Sequence, residues 1–213
     1  MGALILPSTQ LALVEKLRYL QNAIGAVPSA YDCWLAQRGA KTLHLRMKQH
    51  GRNALAVAKA LEDCPGVEEV IYPGLAGKTE VSKRRHQLAW TGLSPHARRF
   101  IQKELGGGDL HVPPPSGFPY SGMISFRIRG GLKEADKFLT STRLFSLAES
   151  LGGVESLAEH PGMMTHGSIP EAQRAILGIG DNLIRLSVGV EDEDDLVGDV
   201  LEGVRVATGN VID

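Results

Sequence analysis

The chain has few cysteines, few aromatic residues and no marked excess of charge of either sign. Two cysteines in 213 residues, Cys33 and Cys64, are too few for a disulfide framework or a cysteine-ligated metal cluster, so reduced thiols are expected. The formal net charge of −1 lacks the basic footprint of a nucleic-acid-binding protein. No apolar run is long enough for a membrane-spanning helix, and the first residues lack the basic start of a secretory signal. These absences predict a cytoplasmic globular protein that binds neither nucleic acid nor membrane.

The apolar residues that are present alternate between helical and strand periodicity. A long helix is predicted over 42–63, because Leu43, Met47 and Leu61 share one face and Pro65-Gly66 follows. Further helices are predicted over 8–24, 30–38, 132–141, 170–177 and after 191, and strands over 2–6, 67–74, 122–128, 143–148 and 182–190. This order of elements indicates a layered α/β domain.

Residues 76–117 differ in character from the rest of the chain. They concentrate positive charge at Lys83, Arg84, Arg85, Arg98, Arg99 and Lys103. The sequence GGGDLHVPPPSG at 106–117 is a loop by composition. Its triple glycine is not followed by the helix start that a phosphate cradle needs. The segment is therefore predicted to be an inserted surface loop, with contact to nucleic acid or acidic partners as the alternative.

The acidic run EDEDD at 191–195 has two interpretations. It lacks the spaced oxygen ligands and central glycine of a calcium loop. Carboxylates at the start of a helix complement the helix macrodipole, so a helix start is predicted. The seven histidines show no metal-ligand spacing with cysteines or carboxylates, and no metal site is predicted.

Arg185 lies in the middle of an otherwise apolar strand. Strand alternation places Ile184, Leu186 and Val188 on one face, with Arg185 and Ser187 on the other. An arginine at such a position needs a partner. One interpretation is a surface strand whose arginine is solvated or salt-bridged. The other is that the planar guanidinium binds the carboxylate of an α-amino acid through two parallel hydrogen bonds.

A second candidate is LAESLGG at 147–153. Adjacent glycines at 152 and 153 allow the backbone to run close to a ligand. Glu149 and Ser150 supply a hydrogen-bond acceptor and a hydroxyl. The alternative is a plain turn between two elements, and neither segment is specific by itself.

Five segments in this order carry a family resemblance. They are GAVPSAYDCWLAQRGAKTLHLRM (25–47), VEEVIYPGL (67–75), SGMISFRI (121–128), LFSLAESLGGVESLAEHPGMMTHGS (144–168) and NLIRLSVGVEDEDDL (182–196). The chain resembles the cystathionine γ-lyase family, the pyridoxal-phosphate enzymes of cysteine and methionine metabolism. The resemblance implies the C-terminal α/β domain of a fold-type I, aspartate-aminotransferase-like enzyme, with a mixed sheet and helices on one side. Residues 1–41 would be a remnant of the large cofactor-binding domain, and 42–213 the C-terminal domain.

The resemblance also implies roles for particular residues. Arg185 matches the arginine that binds the substrate α-carboxylate. Ser150 and the backbone of Leu151 match the segment on the substrate side of the cofactor, with Ser150 near the cofactor itself, and Glu149 matches a position associated with reaction choice. The family reaction is α,γ-elimination of L-cystathionine to L-cysteine, 2-oxobutyrate and ammonia, in homotetramers whose active sites form between paired subunits. Cystathionine γ-synthase or a related enzyme of the same metabolism is the alternative.

The sequence departs from the family at the position of the catalytic lysine. The family holds its Schiff-base lysine in a Ser-x-Thr-Lys motif, and no such motif occurs here. Lys41, in RGAKTL, matches a different family segment, and Ala30 replaces a common proline. We therefore expect a fragment of the enzyme that, alone, forms no Schiff base with pyridoxal phosphate and has no lyase activity. A non-catalytic module that pairs with other subunits or binds amino acids remains the other possibility.

Overall fold

A computed structural model describes residues 2–209, and the chain divides after Leu45 into two compact units. The first unit holds two helices, α1 (Leu11–Ala23) and α2 (Ala30–Lys41). The hydroxyl of Ser29 caps α2 by accepting the N–H of Asp32 at 3.1 Å. Neither helix has a buried residue.

The strand predicted over 2–6 is wrong. The structure assigns no strand there, and Leu4 and Ile5 are 78% and 96% exposed. The prediction rested on an apolar run alone, whereas a strand requires a hydrogen-bonding neighbour. Within residues 2–209 this segment pairs with no other strand.

The second unit contains most of the regular structure. The division after Leu45 falls in the first turn of the long helix α3. The remaining elements follow in chain order: α3 (Leu43–Asp63), β1 (Val67–Ile71), α4 (Glu80–Gly92), α5 (Pro95–Glu104), β2 (Met123–Ile128), α6 (Leu132–Ser141), β3 (Ser146–Leu147), β4 (Leu157–Glu159), α7 (Glu171–Ile176), β5 (Leu183–Ser187) and α8 (Glu193–Thr208). None of the helices within 2–209 is both long and apolar enough to cross a membrane.

The five strands form one mixed sheet in the order β1-β2-β5-β4-β3. All pairs are antiparallel except β3 with β4. Phe126, Ile184 and Leu186 are fully buried on one face, where they join a core with α3, α6 and α8. The predicted α/β fold with a mixed sheet and helices on one side is confirmed. On the opposite face of β5 lie Leu183, Arg185 and Ser187, of which Leu183 and Ser187 are buried.

The prediction that 76–117 is a loop is wrong for its first two thirds. Two helices, α4 and α5, occupy it, and each has a polar cap: Thr79 accepts the N–H of Ser82, and Ser94 accepts the N–H of Ala97, both at 3.1 Å. Trp90, Ile101 and Phe118 form a second apolar cluster beneath these helices. Within 76–117, residues 76–79, 93–94 and 105–117 have neither helix nor strand, and these include the glycine- and proline-rich stretch that predicted a loop.

The acidic run begins a helix, as predicted. Asp192 is the N-cap of α8, and its carboxylate accepts the N–H groups of Asp194 at 3.0 Å and Asp195 at 3.4 Å. No cluster of histidine, cysteine or acidic side chains suited to a metal ion occurs among residues 2–209. Cys33 and Cys64 are both free thiols, and only Cys64 is buried.

Candidate carboxylate-binding site

The site is built on β5, a central strand flanked by β2 and β4. Ile184 and Leu186 enter the core, as the predicted alternation requires, while Arg185 lies on the opposite face and is the one half-buried residue of an otherwise buried strand. In the register of the sheet, Ser125 of β2 and Glu159 of β4 lie directly across from Arg185. Side chains directly opposite on one face of a sheet are neighbours, so the arginine meets a carboxylate.

Glu159 is the partner that the strand arginine requires. Its Oε1 lies 2.9 Å from Nη1 of Arg185. The Glu159 side chain is fully buried, whereas that of Arg185 is 31% exposed. Neither carboxylate oxygen of Glu159 accepts a hydrogen bond within the described part of the chain. The contact is thus a close charge pair without aligned hydrogen bonds, and part of the guanidinium stays open to solvent.

The electrostatics of Glu159 reflect this unusual position. Burial raises the pKa of its carboxyl, because a charge without solvent is costly. The nearby Arg185 and His166 lower that pKa, and Glu149 raises it. Glu149, from the LAESLGG segment, therefore lies within electrostatic reach of the Glu159–Arg185 pair.

The LAESLGG segment is tied to the same strand. The N–H of Gly152 donates to Oγ of Ser187 at 2.9 Å, with Gly152 at φ +88°, a conformation that favours glycine. Two residues further on, the N–H of Val190 donates to the carbonyl of Val154 at 3.0 Å. These bonds hold the loop beside β5, whose Ser187 is only two positions from Arg185.

The four residues singled out from the sequence are therefore on two adjacent segments. Glu149 and Ser150 are exposed, and Leu151 is half-buried. Glu149 acts on the charge pair. For Ser150 and Leu151 the structure provides a common loop with Glu149, but no hydrogen bond links them to Arg185 among residues 2–209.

Two side chains hold the strands that lead into this loop. Asp199 of α8 accepts three backbone N–H groups at 2.8, 2.9 and 3.2 Å, from Arg143, Leu144 and Phe145, immediately before β3. Glu191 accepts the N–H of Ser156 at 2.7 Å and its hydroxyl at 2.9 Å, immediately before β4. Because both ends of 146–156 are fixed, the loop between them has a defined position.

Sequence reasoning missed Glu159 as part of the site. The strand that carries it, β4, has only three residues and lies in a glycine-punctuated stretch. The available signal was the requirement for a carboxylate opposite a mid-strand arginine, combined with the short apolar run before Glu159. Ser187 was placed on the correct face, but its hydrogen bond to the loop was not foreseen.

A groove of about 560 Å³ lies in the same unit and includes Leu147, His160 and Met163 in its lining. Its wall is mainly apolar and does not contain Arg185. Both ring nitrogens of His160 are engaged, one with the carbonyl of Asp181 at 2.8 Å and one with the N–H of Met163 at 3.1 Å. The charged side chains of the candidate site are therefore those around Arg185 on β5, and this groove does not contribute to them.

The donor set around Arg185 suits an amino acid better than the anchor of pyridoxal phosphate. The charged and titratable groups that act on Glu159 are Arg185, His166 and Glu149, and a covalent anchor for the cofactor needs a lysine amine. Lys41 lies in the last turn of α2, in the first unit, and is exposed. The β5 group can bind a carboxylate through Arg185, and the groups that act on Glu159 include no lysine amine for the covalent attachment of a cofactor.

Known proteins are similar to this chain in both sequence and fold. The sequence profile of the family described as Cys/Met metabolism PLP-dependent enzyme matches residues 1–94 and 116–205. Cystathionine gamma-lyase of Rattus norvegicus is 49% identical over 195 residues, which cover 92% of this chain and 42% of that protein. The enzyme of Saccharomyces cerevisiae is 45% identical, covering 96% of this chain and 45% of that protein.

A solved structure agrees with these matches. The crystal structure of cystathionine gamma-lyase from yeast superimposes with a TM-score of 0.71 at 43% identity, covering 92% of this chain and 44% of that one. The chain thus spans less than half the length of the relatives it matches. The profile match covers most of the chain and leaves out 95–115, the part of the 76–117 segment that contains α5. The chain belongs to the family of pyridoxal-phosphate-dependent enzymes of cysteine and methionine metabolism.

Proposed function

We propose that this chain forms the substrate-binding part of a cystathionine γ-lyase, which catalyses α,γ-elimination of L-cystathionine to L-cysteine, 2-oxobutyrate and ammonia. The observation that carries the proposal is Arg185, fixed in a central strand with its side chain 31% exposed on the face of the sheet away from the core. The names of the relatives favour the lyase over cystathionine γ-synthase.

In this proposal Arg185 binds the α-carboxylate of the substrate. Guanidinium carries five N–H donors, and a contact to Glu159 at Nη1 leaves donors on the opposite edge for a second carboxylate. Ser150 and Leu151 line the substrate from the loop that Ser187 holds, and Glu149 influences the choice of reaction. Positioning of the amino acid is the contribution of these residues to catalysis.

The cofactor of the intact enzyme is pyridoxal phosphate, which supplies the electron sink for carbanion chemistry when bound. The residues at β5 are on the substrate side, so we expect this chain alone to have no lyase activity and to bind the cofactor weakly or not at all. Lys41→Ala should leave both properties unchanged. A visible absorption band that forms with pyridoxal phosphate and disappears in Lys41→Ala would contradict this expectation.

Assembly and location complete the proposal. Residues 1–41 belong to the large cofactor-binding domain and 42–213 to the C-terminal domain, in a homotetramer. The exposed apolar side chains of α1 and α2, including Leu11, Tyr31 and Trp34, support burial against further protein. The free thiols support a cytoplasmic location.

A chimera tests the function directly. The chain replaces the aligned segment of the Saccharomyces cerevisiae enzyme, and formation of cysteine and 2-oxobutyrate from L-cystathionine is measured. We expect a functional lyase in which Arg185→Gln lowers kcat/KM on the order of 100-fold or more, because it leaves the substrate carboxylate without its charged partner. A folded chimera that makes cystathionine from cysteine and an activated homoserine, but does not cleave it, would establish the synthase alternative. Unchanged kinetics in Arg185→Gln would remove Arg185 from the site.

A further inference from the structure

His160 is a buried histidine whose ring joins the two strands of the candidate site. It follows Glu159 directly at the end of β4 and is 3% exposed. Its Nε2 lies 2.8 Å from the carbonyl oxygen of Asp181, just before β5, and its Nδ1 lies 3.1 Å from the backbone nitrogen of Met163. A carbonyl requires a donor and an N–H requires an acceptor, so Nε2 carries the ring proton and Nδ1 carries none. These contacts therefore suit a neutral ring in a single tautomer.

The bond to Asp181 lies where the backbone pairing of β4 with β5 ends. The register pairs three residues of each strand, and Glu159 opposite Arg185 is the last of these pairs. The 2.9 Å contact between their side chains therefore depends on the position of the strand ends. Ends of elements open more readily than their centres. A side-chain bond just beyond the last pair thus acts directly on the Glu159–Arg185 contact.

The two ring bonds of His160 differ in what they hold together. The bond to Asp181 joins the end of β4 to the start of β5, whereas the bond to Met163 stays within one turn. The N–H of Met163 also donates to the carbonyl of His160 at 3.2 Å, so it keeps an acceptor if the ring is replaced. Arg174 supports the same turn, since its Nη1 donates to the carbonyl of Gly162 at 2.6 Å. The connection between the strands therefore depends mainly on Nε2.

We propose that His160 is a positioning residue of the candidate site, whose Nε2–H bond to Asp181 holds Glu159 and Arg185 in place for ligand binding. This inference rests on the proposed function, in which Arg185 binds the substrate carboxylate. A proton on Nδ1 would point at the N–H of Met163, so the charged ring does not fit these contacts. Ligand binding therefore weakens in acid as His160 becomes protonated.

Other charged and titratable groups lie around the His160 ring. Lys133 and Asp136 of α6 line the same groove, and Arg174 of α7 contacts the turn that follows His160. The remaining ones belong to β4, to that turn, to the segment before β5 and to β5 itself: Glu159, His166, Asp181 and Arg185. Because Glu159 and His166 also change charge in acid, the effect of His160 is measured as the difference from a variant that does not titrate at position 160.

Two variants separate the two ring bonds. In His160→Gln the side-chain amide nitrogen can replace Nε2 as the donor to Asp181, whereas in His160→Asn the side-chain oxygen can replace Nδ1 as the acceptor for Met163. Dissociation constants of the full chain for L-cystathionine are measured at pH 7.5 by NMR titration of the Arg185 Nε–H signal. His160→Gln should stay within about twofold of the unsubstituted chain, and His160→Asn should bind about three- to tenfold more weakly, as expected for loss of one hydrogen bond.

The pH profile gives a second readout, which a packing role of His160 would not change. From pH 8 to pH 5 the affinity of the unsubstituted chain should fall more steeply than that of His160→Gln, which has no ring to protonate. Long-range nitrogen–proton NMR correlations follow the ring itself and should show a proton on Nε2 and none on Nδ1 at pH 7.5. His96→Gln, which removes an exposed histidine of α5, is the matched control and should change neither the affinity nor its pH profile.

The outcomes separate the inference from the proposed function. If Arg185→Gln abolishes binding but His160→Asn binds as tightly as the unsubstituted chain, the inference fails and the carboxylate site remains. Equal losses in His160→Asn and His160→Gln, or parallel pH profiles, would show packing alone and also overturn it. If Arg185→Gln binds L-cystathionine unchanged, the proposed site fails and the inference fails with it. Should neither His160 variant fold, affinity that stays constant while Nδ1 of the unsubstituted chain becomes protonated overturns the inference.

Discussion

The two compact units of this chain differ in how they use their apolar residues. In the second unit α3, α6 and α8 bury their apolar faces against β2 and β5, with Ile184 and Leu186 fully enclosed. In the first unit α1 and α2 are also amphipathic, yet they bury no residue. Helical periodicity therefore indicates that a face is suited to burial but does not say whether the same chain covers it. Paired substitutions in the two units test this difference.

The largest difference in unfolding free energy between the two units is expected when a leucine is replaced by alanine. Leu186→Ala, in the core of the second unit, should lower the free energy of unfolding by about 2–5 kcal/mol, because it removes buried surface and leaves a cavity. Leu35→Ala, on α2 where the side chain is 42% exposed, should change it by less than about 0.5 kcal/mol. Urea denaturation followed by circular dichroism measures both. Equal effects would show that the first unit has a core of its own.

The next largest difference in unfolding free energy is expected between phenylalanine substitutions of a buried and an exposed tyrosine. The buried hydroxyl of Tyr72 accepts the N–H of Tyr120 at 2.9 Å, so Tyr72→Phe should cost about 1–3 kcal/mol by leaving a buried donor unpaired. Tyr31→Phe, on α2 with the ring 66% exposed, should be nearly neutral. The same denaturation experiment compares them.

Tyr72 also predicts a dependence on alkaline pH. Burial raises its pKa from 10.0 to about 12, against the hydrogen bonds from Tyr120 and Ser121, which lower it. Since the folded-state pKa is the higher one, the stabilising contribution is complete below pH 10 and is lost as pH rises towards 12. Tyr72→Phe should remove this loss, as measured by unfolding free energies between pH 9 and 11. An identical alkaline slope in the variant would contradict the assignment.

Substitutions of an aspartate in each unit should differ less in their effect on the free energy of unfolding than the tyrosine substitutions do. Asp199→Asn removes the charge that holds three backbone N–H groups before β3 and should cost about 1–2 kcal/mol. Asp32→Asn, in the first turn of α2, loses only a helix-dipole contribution of about 0.3–0.5 kcal/mol. Hydrogen exchange of the amides of 143–145 provides a local readout, and exchange that stays slow in Asp199→Asn would contradict the anchoring role.

The smallest expected effect is the change with pH in the contribution of Glu159 to the free energy of unfolding. Its carboxyl has a folded-state pKa raised from 4.5, so its contribution to stability is complete below pH 4.5 and declines as pH rises through the raised pKa. Glu159→Gln should therefore gain stability relative to the unsubstituted chain as pH rises above 4.5. A relative loss of stability over this range would reverse the sign and contradict the burial argument.

Local signals predicted α3, β5 and the helix start at 191–195, because periodicity and the charge of a helix start depend on neighbouring residues in sequence. The position of Arg185 on the face opposite Ile184 and Leu186 followed from alternation alone. The strand at 2–6 failed because strand formation depends on a partner that the sequence does not specify. Glu159 was missed because its identity as the partner of Arg185 depends on strand register between segments 26 residues apart. The roles of Ser150, Leu151 and Glu149 came from the family resemblance and remain predictions.

The proposed function depends on the binding of the substrate α-carboxylate by Arg185. The most direct measurement is an NMR titration of the chain with L-cystathionine, following the Nε–H signal of Arg185, alongside calorimetry of the chain and of Arg185→Gln. We expect a saturable shift of that signal and loss of calorimetric binding in Arg185→Gln. Arg127→Gln, at the arginine paired with Glu69 on the same sheet, should bind normally. The same binding isotherm in Arg185→Gln and in the unsubstituted chain would contradict the claim.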